Sequence, residues 1–140
     1  MDNEALERIS FLFPFKVNES GVRQPVLIYD VPEMPHPVDI SVAVFFIGLV
    51  SERLYRVDLD IISNDGKTLN DDFERQKLFK VRSTIDGESI VSASFEVQFK
   101  GVKIPVNGVY CVAASLHTEG VSSLVSTNHA YFEVKARGHG

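Results

Sequence analysis

Histidines are the first residues to consider for chemistry, because imidazole is a common metal ligand and titrates near neutral pH. The chain has four histidines, and no two of them have the short spacing of a metal-binding motif. His36 lies among prolines and His139 near the last residue. His117 and His129 bracket a turn at Glu119-Gly120, so they could face each other across a hairpin or be two unrelated surface imidazoles.

Acidic and amide side chains are concentrated in the middle of the chain, where hard oxygens could bind calcium. The spacing does not match an EF-hand loop, and strand alternation explains Asp58 and Asp60 as outward-facing residues. Solvated turn residues are the favoured interpretation. The members of this group are Asp58, Asp60, Asn64, Asp65, Asn70, Asp71 and Asp72.

Nucleophilic and nucleotide chemistry have no sequence support. The chain contains no G-x-S-x-G, G-x-G-x-x-G or Walker motif. The one cysteine, Cys111, has no cationic neighbour in sequence that would activate its thiol, and we expect it between the sheets or on a covered face. We therefore predict no catalytic residue and no cofactor. Carbohydrate binding would need exposed aromatic rings, and without tryptophan only tyrosines such as Tyr29 and Tyr131 could provide them.

The elements that would position such residues are β-strands. The clearest pattern runs from Val91 to Leu116, where apolar residues alternate with polar or small ones through two segments. The break at residues 105–108 contains Pro105 and Gly108, and two antiparallel neighbours are the natural interpretation. Tyr110 resembles the corner tyrosine of immunoglobulin-like domains, whose hydroxyl holds a neighbouring loop.

Other segments repeat this period. Ile9, Phe11, Phe13, Phe15 and Val17 alternate with the residues between them, although Pro14 predicts an edge strand or a bulge. Tyr55, Val57, Leu59 and Ile61 are predicted to point inward, before a tight turn at Asp65-Gly66. Further strands are expected at 24–31, 73–81 and 121–135, the last with a bulge near Thr127-Asn128.

The segment from Ile40 to Ile47 is apolar on nearly both faces. It predicts either a central strand covered on both sides, which we favour, or a strand that faces a partner. In the second case Ile40, Val42, Phe45 and Ile47 would form an interaction surface.

The count of about eight strands favours an all-β, two-sheet antiparallel sandwich, immunoglobulin-like or jelly-roll-like, with a barrel as the alternative. A chain of 140 residues is expected to form one domain spanning residues 1–140, with frayed ends at 1–7 and 136–140.

Composition bounds the function classes. The net charge of -5 argues against a general nucleic-acid binder. One cysteine excludes an internal disulfide and a cysteine-rich zinc site. No secretory signal and no apolar run long enough to span a bilayer is visible, so we expect folding in the cytoplasm, with association with a virion as a further possibility.

Four short segments are turns or strand entries with a recognisable pattern: Asn18-Glu19-Ser20-Gly21 after the N-terminal strand, Pro35-His36-Pro37 before a strand, Asn64-Asp65-Gly66-Lys67, and Asn107-Gly108-Val109-Tyr110. Together they resemble a family of small bacterial and phage-associated β-sandwich proteins of unassigned function. The phenylalanine-rich first strand and the acidic segment 70–74 depart from that pattern. The resemblance implies no catalytic residue.

Two functions follow as hypotheses. The first is a non-enzymatic protein-interaction or structural module that binds another protein or itself, as a homo-oligomer. The second is a ligand-binding sandwich that recognises carbohydrate or a lipid headgroup, with or without calcium.

Overall fold

The computed structural model describes residues 7–71, 75–119 and 124–137. The fold is all-β, and its strands form two sheets. In chain order the nine strands of the described residues are β1 (Arg8–Val17), β2 (Arg23–Pro25), β3 (Ile28–Val31), β4 (His36–Val50), β5 (Leu54–Ile62), β6 (Gln76–Lys80), β7 (Ile90–Ile104), β8 (Gly108–Thr118) and β9 (Leu124–Ala136).

The four-stranded sheet has the order β2-β1-β4-β7, and every neighbouring pair in it is antiparallel. Strand β4 lies in its middle but is longer than β1. Pro37 therefore pairs with β7 on one side, at a position beyond the part of β4 that β1 covers. A proline fits there because its missing N–H can face the unpaired side. The strand begins at His36, earlier than the apolar pattern predicts.

The five-stranded sheet has the order β3-β9-β8-β5-β6 and is mixed, which corrects the expectation of a purely antiparallel fold. Strand β3 runs parallel to β9, with Tyr29 opposite Val134. Only Val26 and Leu27 separate β2 in one sheet from β3 in the other, and the N–H of Glu133 donates to the carbonyl of Leu27 just before β3 begins. A pairing of this kind joins segments more than a hundred residues apart.

The buried residues of both sheets form one hydrophobic core. The predicted inward residues of β5, Tyr55 to Ile61, are at most 1% exposed, which confirms their alternation. Tyr110, Val112, Ala114 and Leu116 of β8 are buried in the same way. On β7 the predicted alternation from Val91 to Phe99 holds, and the pattern shifts by one residue at Gly101; the inward residues are fully buried only from Val97 onward.

Strand β1 carries the bulge that Pro14 suggested, but at Ser10, between the pairs Ile9–Phe46 and Phe11–Phe45. The extra residue reverses the alternation, because Ile9 and Leu12 both point into the core. Phe11 and Phe13 consequently lie on the outer face of the sheet, not on the face of Ile9 as a strict two-residue period predicts.

Strand β9 also has its bulge earlier than expected. Leu116 pairs with Ser126 and His117 with Leu124, so Val125 is the extra residue, not Thr127 or Asn128. The beginning of the predicted 121–135 strand and Phe73 of the predicted 73–81 strand lie outside the described residues. The described part of the latter, β6, is an edge strand as predicted.

The chain ends that were expected to fray are partly held in place. The backbone N–H of Ala136 donates to the side chain of Asn107, and the N–H of Arg137 donates to the carbonyl of Val31. Glu7 accepts hydrogen bonds from Arg53 and Tyr55. The sequence missed these bonds because each joins residues at least 29 positions apart. Residues 1–6 and 138–140, including His139, lie outside the described residues.

Candidate interaction surface

The four residues of the predicted interaction surface on β4 divide between its two faces. Ile40 and Val42 are completely buried in the core and cannot contact a partner, so for these two residues the prediction is wrong. Phe45 and Ile47 have the opposite parity and lie on the outer face, where Ile47 is 44% exposed. The apolar residues from Ile40 to Ile47 thus lie on both faces of β4, one facing the core and the other facing solvent.

Aromatic rings from β1 and β4 meet on this outer face. The ring of Phe45 stacks on that of Phe11, with centroids 4.5 Å apart and planes 15° apart. Phe13 lies nearly parallel to both, at 6.0 Å from Phe45 and 6.3 Å from Phe11. Phe11 is 50% exposed even within this stack. We call Phe11, Phe13, Phe45 and Ile47 the outer aromatic surface.

Small side chains border this surface on the β7 side. An open depression of about 300 Å³ is lined by Phe11, Phe45 and Ile47 together with neighbouring serines and alanine. Ser94 lies directly opposite Phe45 in the β4–β7 register. Because the outward-facing serines Ser92 and Ser94 are short, they leave the rings of Phe11 and Phe45 accessible to another molecule.

His117 and His129 do not face each other across the hairpin, so of the two alternatives the structure has two separate imidazoles. His117 is in register with Leu124, whereas His129 is in register with Ala113, four residues away along β8. That separation is about 13 Å along a strand. The bulge at Val125 and the length of the hairpin could not be read from sequence.

His117 instead lies beside Asp58, with 3.4 Å between its Nε2 and Oδ2 of the carboxylate. The same carboxylate accepts hydrogen bonds from Arg56, at 3.0 and 3.3 Å. Ser115 pairs with Asp58 across the β5–β8 register. Histidine, carboxylate and serine therefore share one face of the five-stranded sheet, where the side chains of His117 and Asp58 are 17% and 16% exposed.

The other described members of the acidic group are also dispersed, and Asp72 lies outside the described residues. Asp60 is bound by Arg75, and Asp65 accepts a hydrogen bond from Ser63. Asn70 is buried and bonds to the backbone of β5. Within residues 7–71, 75–119 and 124–137, no three His, Cys, Asp or Glu side chains are grouped so that they could hold a metal ion.

Cys111 and the tyrosines occupy unlike environments. Cys111 is half-buried on the outer face of the five-stranded sheet, not between the sheets, and burial raises the pKa of its thiol. Tyr29 is 2% exposed and cannot be a binding platform. Tyr131 is 59% exposed, and its ring meets that of His129 edge to face.

Tyr110 has the role that its position predicts. Its hydroxyl donates a hydrogen bond of 2.5 Å to the carbonyl of Val106, four residues earlier. The bond closes the turn before β8, as a corner tyrosine does.

Phe11 and Phe13 are the surface residues that the sequence did not identify. Their alternation with Ile9 suggested a core face, and only the bulge at Ser10 shows otherwise. A signal in the sequence is the number of phenylalanines in β1, three within five residues, which is more than one buried face of a strand of this length needs.

Comparison with known proteins gives a likeness of fold. No family model and no curated protein matches the chain. A solved structure of a bacterial adhesin from Mobiluncus mulieris, with intramolecular disulfide, isopeptide and ester cross-links, is similar over 92% of this chain, with a TM-score of 0.51 and 9% identity. The chain spans 57% of the length of that adhesin chain.

A second solved structure, an alkylpurine DNA glycosylase of Pseudomonas fluorescens bound to DNA with an abasic site analog, overlaps 96% of this chain and 32% of its own. Its TM-score is 0.40, with 13% identity, which is too low to bear on function. The likeness to the adhesin concerns the fold alone, and the class of fold, an all-β protein of two sheets, follows from the strands of the described residues. In the described residues, no helix is long and apolar enough to cross a membrane.

Proposed function

We propose that this protein is a non-enzymatic interaction module with a two-sheet sandwich fold, immunoglobulin-like or jelly-roll-like, and that the outer aromatic surface binds another protein. One observation carries the proposal: the Phe11–Phe45 stack stands exposed next to Ile47 on the outer face of the four-stranded sheet. Contiguous exposed aromatic and aliphatic side chains are typical of protein-binding sites, where aromatic residues contribute much of the affinity.

The orientation of the rings favours a protein over a sugar. A sugar-binding platform offers the face of a ring to the pyranose, whereas one face of Phe45 is already taken by Phe11. The surface is also built from phenylalanine, which has no polar group to hydrogen-bond hydroxyls. Apolar side chains of a protein partner suit such a surface better. The likeness of fold to an adhesin is compatible with a binding role but does not identify the partner.

The test is a site-specific cross-link followed by a titration. A photoreactive benzoyl-phenylalanine at position 11 should capture a partner that the same group at position 131 does not capture. After mass spectrometry identifies the partner, the purified partner should bind the Phe45→Ser variant at least about tenfold more weakly, as expected for an aromatic anchor. The Tyr131→Ser variant, changed on the other sheet, should bind within about twofold of the parent chain.

Circular dichroism of both variants establishes that they are folded. Equal affinity of the parent chain and Phe45→Ser for the captured partner would overturn the proposal. A cross-link between two copies of this chain would identify a homo-oligomer as the complex. Cytoplasmic or virion location stays a prediction from the sequence.

A further inference from the structure

The edge of the four-stranded sheet at β7 differs from the usual edge of a sheet. Natural proteins shield edge strands by making them short or by adding prolines, bulges and lysines. Strand β7 has 15 residues, and only its last third carries such features, with Lys100, Lys103 and a left-handed Gly101. Between Ile90 and Gln98, which we call the free edge, there is no proline, glycine or cation.

The single charge on the free edge is already neutralised. Glu96 forms an ion pair with Arg23 of β2. In an antiparallel sheet, the N–H and C=O groups of every second residue of an outermost strand point away from its neighbour. The free edge therefore offers a row of backbone donors and acceptors to an incoming strand.

A groove lies beside the free edge. Strand β6 is the outermost strand of the other sheet, and the space of about 340 Å³ between it and β7 is lined by residues 77–79 and 95–98. The rings of Phe79 and Phe95 meet there edge to face, 5.1 Å between centroids. They form an apolar floor at the open side of the two sheets.

Lys77 gives this groove its charge. It shares a face of β6 with Phe79, since it pairs with Val57 and Phe79 pairs with Tyr55, both of which are buried. Its ammonium makes no ion pair with another described residue. Because Glu96 is paired with Arg23, the ammonium of Lys77 is the charge that remains at the rim of the groove. This local positive charge contrasts with the net charge of -5 of the whole chain.

From these features we infer that the free edge of β7 binds an extended peptide segment of a partner protein as an added strand, with apolar side chains in the groove and a carboxylate near Lys77. Main-chain hydrogen bonds to the free edge provide the affinity, and contacts of the peptide side chains with the groove provide the specificity. This surface is distinct from the outer aromatic surface, so either can fail alone.

The probe is a seven-residue peptide, acetylated and amidated, with valine and threonine alternating and one central glutamate. In ¹⁵N-labelled protein, it should shift the amide resonances of residues 90–98 and 76–80, whereas those around Phe11 should not move. The same peptide N-methylated at alternate backbone nitrogens should cause no shift, since it cannot pair. Shifts elsewhere, or none with the unmodified peptide, would overturn the inference.

Charge exchange tests the part played by Lys77. Lys77→Glu should weaken binding of the glutamate peptide about three- to fivefold, as expected for an exposed ion pair, and should strengthen binding of a lysine peptide. The matched control is Lys103→Glu, on β7 beyond Gly101, which should change neither affinity by more than about 1.5-fold. Equal effects of both variants would overturn the assignment of Lys77. Concentration-dependent shifts at 90–98 without peptide, with a doubled mass in light scattering, would show that a second copy occupies the edge and would also overturn the inference.

Discussion

The side-chain amide of Asn70 hydrogen-bonds to the backbone of Ile61 as a neighbouring strand would. Its Oδ1 accepts from the N–H of Ile61 at 2.8 Å, and its Nδ2 donates to the carbonyl of Leu59 at 3.0 Å. Strand β6 pairs only with residues 54–58 of β5, so Asn70 satisfies β5 beyond the end of β6. A residue that the sequence placed in an acidic cluster is thus a structural part of the sheet.

Removing this amide should destabilise the fold. In Asn70→Ala the N–H of Ile61 and the carbonyl of Leu59 lose their partner in a buried place, which costs about 1–3 kcal/mol in the free energy of unfolding. Urea unfolding followed by circular dichroism measures the change. Asn64→Ala, in the exposed turn before Gly66, is the control and should cost less than about 0.5 kcal/mol. Equal costs for both variants would contradict this role of Asn70.

Tyr110→Phe should weaken the turn before β8. The change removes the hydroxyl that donates to the carbonyl of Val106 and keeps the buried ring. The expected cost is about 1 kcal/mol in the free energy of unfolding, measured by urea unfolding. Tyr131→Phe on the exposed face should leave stability unchanged within error. If the two variants were equally stable, the hydroxyl of Tyr110 would have no role in holding the turn.

Tyr29 should make stability depend on pH in the alkaline range. Its hydroxyl is the one buried side-chain polar atom in the described residues that lacks a hydrogen bond, and burial raises its pKa from 10 to about 12. Between these values the unfolded chain loses the phenolic proton while the folded protein keeps it. The unfolded state then binds fewer protons, so the free energy of unfolding falls as pH rises from 10 to 12.

Urea unfolding at pH 9, 10, 11 and 12 measures this loss, and Tyr29→Phe should lose less stability than the parent chain. Tyr55 also has its pKa raised to about 12, first by burial and then by its hydrogen bond to Glu7, so part of the loss remains in the variant. At pH 7 Tyr29→Phe should be at least as stable as the parent chain, because it removes an unsatisfied polar group. A parallel pH dependence of both proteins would refute the prediction.

Phe45 and Phe46 are adjacent, yet their truncation should have very different costs. Phe46 is 1% exposed in the core, and Phe46→Ala should cost about 3–5 kcal/mol. Phe45 lies on the outer aromatic surface, and Phe45→Ala should lose little more than its stacking with Phe11, about 0.5–1.5 kcal/mol. A double-mutant cycle of Phe11→Ala and Phe45→Ala isolates that stacking energy. Comparable costs for Phe45→Ala and Phe46→Ala would show that the outer rings belong to a second core.

The local patterns of the sequence predicted the local structure well. Strand alternation identified the inward residues from Tyr55 to Ile61 and from Tyr110 to Leu116, because a half-buried strand imposes a period of two on its own residues. Gly66 has the left-handed backbone that its Asp-Gly turn suggests. The hydrogen bond of Tyr110 spans only four residues, so it too could be expected from sequence.

What depends on partners distant in the chain was decided by tertiary structure alone. One extra residue at Ser10 turned Phe11 outward, and this is visible only in the register with β4. The parallel β3–β9 pair, the separation of His117 from His129 and the position of β7 at an edge depend on the same long-range pairing. The sequence by itself determined where most strands lie and which faces of β5 and β8 are apolar, but it did not divide residues 24–31 into β2 and β3 of different sheets. The tertiary structure decided which apolar faces remain in contact with water. Hydrogen bonds between strands set the register of each pair and the order of the strands, and neither can be read from the alternation within a single strand.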